Sequence, residues 1–164
     1  MQPLEDADPP PTLLINYQAY RDLCSLAGQS EDGLETGGIV LGHDQSDRIR
    51  VTVIGDAGPR AVRRSDFFLR DLQHAQRLAT AAWGSDGSQW VGEWHTHPRG
   101  SLVPSQADFR SYLSHLDDDE LRLARFLSIV VTIGSQGMLA AAWIVDRNVA
   151  QLMAIEVEEE SDAY

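Results

Sequence analysis

Two histidines one residue apart, His95 and His97 in the run Gly92-Glu93-Trp94-His95-Thr96-His97-Pro98, cannot share a face of a helix. On a strand, where the side-chain period is two, both imidazoles point the same way. Gln89 to His97 therefore reads as a strand with a histidine pair at its end. Pro98, Gly100 and Pro104 then break regular structure. Beyond them Phe109, Tyr112, Leu113 and Leu116 recur at helical spacing, so a helix is expected over 105–116, with Ser105 as its N-cap and Asp108 in its first turn.

A carboxylate three residues after a capping serine ordinarily closes a capping box. Facing a histidine pair it has another use: His95, His97 and Asp108 supply three N/O ligands and leave a fourth tetrahedral position for water. That is the donor set of a catalytic zinc rather than a closed structural one, so Zn2+ is the expected cofactor. Water at such a position ionises near neutral pH. Taken singly, an HxH pair reads as polar edge-strand residues and an SxxD as a plain cap. Joined by seven residues with a turn between strand and helix, the two are hard to reach by chance.

These residues resemble the JAMM (MPN+) metalloproteases, whose signature is an upstream Glu, then H-[ST]-H-P, then S-x-x-D seven residues after the second His. The resemblance runs from about Leu13 to about Ile155. It implies zinc held by His95, His97 and Asp108, and a Ser105 that helps hold the attacking water and the tetrahedral intermediate. It also implies a catalytic Glu just before a Gly-Gly step, here Glu35 in Leu34-Glu35-Thr36-Gly37-Gly38. The family's members characteristically cut peptide or isopeptide bonds at the C-terminus of ubiquitin-like proteins. Small bacterial relatives with a Gly-Glu-Trp-His-Thr-His-Pro block are the most similar; some accompany ubiquitin-like conjugation systems in antiphage operons, and others trim sulfur-carrier proteins.

The chemistry needs a carboxylate able to take a proton and pass it to a leaving amine. Glu93 lies two residues before His95 on the same strand face, about 6 to 7 Å along by strand rise, which suits an indirect or substrate contact. Nothing local places Glu35 near the histidines, and its assignment as proton carrier rests on the resemblance. Ser105 as a covalent nucleophile is superfluous beside an activated water.

With 164 residues and 43% hydrophobic composition, the chain is expected to form one domain. A net charge of -12 argues against a nucleic-acid partner. No apolar stretch is long enough for a membrane span, and the acidic, Pro-rich start is unlike a signal peptide, so a cytoplasmic location is expected. Residues 1–11 read as a disordered lead-in, 12–157 as the catalytic domain and 158–164 as an acidic, solvated tail.

Within the domain the pattern suggests a strand over Thr12–Ile15, a helix over Asn16–Ala27 and paired strands over Thr36–Gly42 and Arg48–Gly55, joined by a turn over His43–Asp47. A loop over Ala57–Asp66 and a helix over Phe67–Trp83 come next, the helix with Leu69, Leu72, Ala75, Ala79 and Ala82 as its stripe. Three strands over Phe126–Ile133, Met138–Val145 and Val149–Val157 follow the metal helix. The expected class is α+β, a mixed sheet sandwiched by helices. The resemblance implies the same kind of object, a cytidine-deaminase-like architecture.

Plainer roles are expected elsewhere. His43, His74 and His115 lack partners at ligand spacing and read as surface or capping histidines. Trp83, Trp90 and Trp143 read as core or edge anchors, and Trp94, opposite His95 in the alternation, as core. Cys24, the single cysteine, reads as a core thiol. Arg60, Arg63 and Arg64 form the one basic cluster, by default a solvated loop and otherwise a contact for an acidic partner.

The expected function is a zinc-dependent isopeptidase acting on the flexible C-terminal tail of a ubiquitin-like or similarly conjugated protein. A peptidase maturing a modifier or sulfur carrier is the alternative enzyme. From another class, a non-catalytic MPN scaffold is the alternative; such scaffolds typically lack some of the ligands present here.

Overall fold

A computed structural model describes residues 8–160. Residues 1–7 of the expected lead-in and 161–164 of the expected tail lie outside those residues. The elements, in chain order, are β1 (Thr12–Ile15), α1 (Tyr17–Ala27), a 3-10 turn (Gly28–Asp32), β2 (Gly37–Gln45), β3 (Arg48–Ile54), β4 (Val62–Arg63), β5 (Phe68–Leu69), α2 (Leu72–Asp86), β6 (Gln89–Thr96), α3 (Gln106–Leu116), β7 (Phe126–Gly134), β8 (Gly137–Val145), β9 (Ala150–Met153) and β10 (Ile155–Val157). Eight strands form one mixed sheet in the order β10-β1-β3-β2-β6-β7-β8-β9. This is an α+β domain, as expected.

The sheet curls because its last segment serves both edges. The single strand expected over Val149–Val157 is broken at Ala154: β9 pairs antiparallel with β8, while β10 pairs parallel with β1 at the opposite edge. Within this curl lies α1, begun by Asn16, whose side chain accepts from the Ala19 amide at 2.7 Å. Ala19, Leu23 and Ala27 are buried with Leu13, Val40, Val51, Leu127, Ile129 and Met153. Burial of this apolar surface is the main source of cohesion. Cys24 falls beside that stripe and is half-buried, not core.

On the other face, Ile39 and Leu41 pack under α2, and Phe126 and Val145 under α3. Helix α2 starts five residues later than its periodicity suggests. Asp71 caps it by accepting from the His74 amide at 3.2 Å, and Phe68–Leu69 are taken into a hairpin with Val62–Arg63. Leu69 is thus off the helix, Leu72 is 63% exposed, and Ala82 is the buried member of the expected stripe. Trp83 lies on the solvent side of α2, 60% exposed, so it is no anchor. Trp94 is buried and donates its indole N–H to the Gly55 carbonyl at 2.8 Å. Glu158, expected in a solvated tail, instead receives a two-pronged bond from Arg50 at 2.7 and 3.0 Å, and its amide donates to Ile15.

Candidate metal and catalytic site

Strand β6 pairs with β2 on one side and β7 on the other, so its end is fixed at the centre of the sheet. His95 sits opposite Gly37, where an added Cβ would lie 2.2 Å from the Trp94 carbonyl oxygen and 2.9 Å from the His95 Cβ. Only a residue without a side chain allows β2 this close to the histidine.

The two imidazoles converge. His95 Nε2 lies 2.9 Å from His97 Nε2 and 3.2 Å from Asp108 Oδ2, and His97 Nε2 lies 3.4 Å from the same oxygen. Among the described residues these three are the one cluster of His, Cys or acidic side chains with donor atoms within 4.8 Å of one another. His97 Nδ1 donates to the Ser101 carbonyl at 2.7 Å, which leaves Nε2 with its lone pair toward the other two donors. Two imidazole lone pairs and a carboxylate oxygen meeting at one point suit a cation, and the N2O set suits zinc. His95 is buried, and its Nδ1 has no hydrogen-bond partner among the described residues.

Asp108 does two things at once. Its Oδ2 accepts from the Ser105 amide at 2.6 Å while Ser105 Oγ accepts from the Asp108 amide at 3.1 Å, a complete capping box, and the same Oδ2 faces the histidines. Cap and ligand geometry are not alternatives here. Without an ion, a proton on Nε2 takes its place between these groups: burial alone would push the Asp108 carboxyl up, and the bonds then donated by His95 and His97 outweigh it and hold the group well below the usual carboxylate range. His97 is correspondingly raised, chiefly by its bond to Asp108.

Glu35 lies just before β2. The Gly37–His95 pairing continues beyond the strand through the Thr96 amide, which donates to the Thr36 carbonyl at 2.8 Å, so Glu35 falls on the histidine side. It lines the same cleft of about 810 Å³ as His95, His97, Ser105 and Asp108. Half-buried, its carboxyl is pushed above its ordinary pKa by desolvation, an effect the nearby histidines partly offset.

Several residues take places that local reasoning misses. Val40 pairs with Gly92 but Leu41 with Trp90, so Val91 is a bulge that turns Trp90 and Glu93 to the same face. Arg70 spans both: it donates to Glu93 Oε2 at 2.7 Å and lies 5.5 Å from the Trp90 ring centre. Glu93 thus meets a cation rather than the histidines. His115 is no surface histidine; half-buried, it stacks on Phe126, meets Trp90 edge-on, and desolvation lowers its pKa. His43 lies within β2, not in a turn, and His74 bonds Asp56. Trp143 anchors the loop after β6 by donating to the Leu102 carbonyl at 2.9 Å. Arg63, expected in a solvated loop, is bonded to Asp32 and to the carbonyls of Gln29, Leu34 and Glu35.

A curled mixed sheet that presents a histidine pair from a strand end to an acidic helix start defines a class of α+β domain in which three side chains that could hold a metal ion converge. Residues 18–151 match Prok-JAB, the prokaryotic homologs of the JAB domain, and the chain belongs to that family. It is similar to a protein named CD-NTase/cGAS isopeptidase from Enterobacter hormaechei subsp. hoffmannii (strain UCI 50), 37% identical over 109 residues, 63% of this chain and 57% of the relative. A protein of the same name from Vibrio cholerae serotype O1 is 31% identical over 91 residues, 54% of this chain and 58% of the relative. The aligned stretches thus span little more than half of those relatives. Among solved structures, the solution structure of a Desulfitobacterium hafniense protein has a TM-score of 0.70, covering 92% of this chain and 96% of that one at 17% identity, a likeness of fold alone. No helix among the described residues is long and apolar enough to cross a membrane.

Proposed function

We propose that this protein is a zinc-dependent isopeptidase that cleaves peptide or lysine-isopeptide bonds at the C-terminal tail of a ubiquitin-like or similarly conjugated protein. The convergence of His95, His97 and Asp108 on one point, in a cleft that Glu35 also lines, carries this reading. The names of the relatives suggest the partner class, a conjugate containing a CD-NTase.

His95, His97 and Asp108 would hold the ion, which when bound supplies Lewis acidity and a nucleophile from water at neutral pH. Glu35 accepts a proton from the attacking water on its carboxylate and delivers it to the departing nitrogen. Its raised pKa suits a group that must hold that proton between the two steps. Ser105 Oγ already accepts from the Asp108 amide, so its own O–H is available to donate to the oxygen that gains charge as the carbonyl is attacked. The Ser101 carbonyl fixes the His97 tautomer, and the capping box fixes Asp108. Glu93, neutralised by Arg70, borders the cleft without serving as the base.

The test is a lysine-linked conjugate and its linear fusion counterpart, incubated with zinc-loaded protein and followed by intact-mass spectrometry. Release of the modifier with a free C-terminus and an unmodified lysine is expected, and is lost in Glu35→Gln. Product formation that is equal in wild type and Glu35→Gln, or absent with every conjugate and fusion, overturns the reading.

A further inference from the structure

Glu35 sits in no regular element: it lies between the 3-10 turn ending at Asp32 and the first residue of β2. Its backbone is nonetheless held on both sides. Thr36 is tied to β6, its amide donating to Thr96 Oγ1 at 2.9 Å. On the other side the Glu35 amide donates to the Arg64 carbonyl at 2.7 Å, and the Glu35 carbonyl accepts from Arg63 Nε at 3.0 Å.

The Arg63 guanidinium does more than this single bond. It donates to the Leu34 carbonyl at 3.2 Å and the Gln29 carbonyl at 3.3 Å, and grips both Asp32 carboxylate oxygens at 2.9 and 3.1 Å. A partly exposed Arg–Asp pair is worth little by itself. Here the planar fork joins four points of the segment 29–35 to β4, a geometry a lysine ammonium cannot reproduce. Arg63 is not among the residues that line the cleft, and its guanidinium bonds none of the three metal-capable side chains.

We propose that Arg63 is a positioning residue for Glu35, fixing the backbone from which the carboxylate reaches the attacking water; this rests on the role of Glu35 proposed above. A proton carrier displaced by about 1 Å is expected to cost on the order of 10- to 100-fold in rate while substrate binding changes little.

The test compares full-length wild type, Arg63→Ala, Arg63→Lys and, as a control for loss of one positive charge nearby, Arg60→Ala. Zinc content, kcat and KM on one conjugate, and amide hydrogen exchange of the metal-free proteins are measured. Arg63→Ala should lower kcat about 10- to 100-fold with KM within about twofold and zinc retained. Arg63→Lys should recover only part of kcat, and Arg60→Ala should match wild type. Exchange at the Glu35 amide should accelerate while the Thr36 amide, held by Thr96, stays protected. Unchanged kcat and Glu35 exchange in Arg63→Ala overturn the proposal, as does full rescue by lysine or a loss that follows zinc content. If Arg63→Ala does not fold, Asp32→Asn, which weakens the grip while keeping the arginine, is read in the same way. An inactive wild type with the exchange pattern intact would refute the isopeptidase reading and leave the clamp standing.

Discussion

The Nε2 atoms of His95 and His97 lie 2.9 Å apart, and the Nδ1 of His97 is committed to the Ser101 carbonyl. Two lone pairs held so close repel unless a proton or a cation lies between them. Purified protein should therefore carry about one zinc per chain, since three such donors are the usual catalytic set. Chelation should lower the melting temperature by roughly 8–16 °C, the shift for about 4 kcal/mol of linkage at a thousandfold ligand excess in a domain of this size. Elemental analysis and thermal melts check both. Zinc retained by a His95→Ala/His97→Ala double variant would place the metal elsewhere.

Glu35 and Glu93 border one cleft in different company, Glu35 near the histidines and Glu93 on Arg70 at 2.7 Å. Glu35→Gln should cost about 10²- to 10⁴-fold in kcat with zinc in place. Glu93→Gln should cost much less in rate. Arg70→Ala should instead destabilise the fold by about 1–3 kcal/mol, because it leaves a carboxylate mostly shielded from water without its partner. The opposite ranking of the two glutamates, on one substrate with zinc assayed, would move the proton carrier to Glu93.

The environment of Glu35 also sets a pH dependence. Burial raises its folded pKa above the unfolded one. The fold thus favours the protonated form, and that contribution is full below the ordinary carboxylate pKa and lost as pH rises through the raised value. Metal-free Glu35→Gln should accordingly be more stable than metal-free wild type at neutral pH, by only about 0.5 kcal/mol because half the side chain meets solvent. The difference should vanish near pH ~4. Urea melts of chelator-treated protein at the two pH values measure it; a variant less stable than wild type at pH ~7 contradicts the sign.

Gly37 tests the close approach of β2 to the histidine strand. Gly37→Ala puts a methyl 2.2 Å from the Trp94 carbonyl oxygen, so backbone must move. A loss of about 3 kcal/mol in stability, with weakened zinc binding as His95 shifts, is expected. A variant with wild-type melting temperature and zinc content would mean the strands can part without consequence.

What the sequence made legible was local. Period-two alternation put His95 and His97 on one side and Trp94 on the other, and the SxxD spacing set the start of α3. Glu35 could not be placed that way, because its position depends on the pairing of Gly37 with His95 across 58 residues of chain. Arg63 looked like a loop charge, and Arg70 fell inside the helix expected over Phe67–Trp83, because the β4–β5 hairpin is only two residues per strand, too short for alternation to show. The break at Ala154 was hidden for a related reason: β9 and β10 continue one apolar run and differ only in their partners.

The shape of the cleft bears on the substrate. Residues of the irregular segment from Pro98 to Pro104 line it together with Phe67, Leu69 and Leu72, so the reacting carbonyl must be brought past them to the strand end that carries His95 and His97. A chain in extended conformation can lie along such a passage and pair through its main chain, whereas a bulky side chain beside the scissile bond would meet β6. The tail should therefore carry Gly or Ala just before the bond, joined to a lysine or to further residues. A series of tail-linked substrates that differ only at this position checks it. Equal cleavage with Gly and with Trp there, or activity confined to small non-peptide amides, would overturn the peptide-tail reading while leaving the metal hydrolase intact.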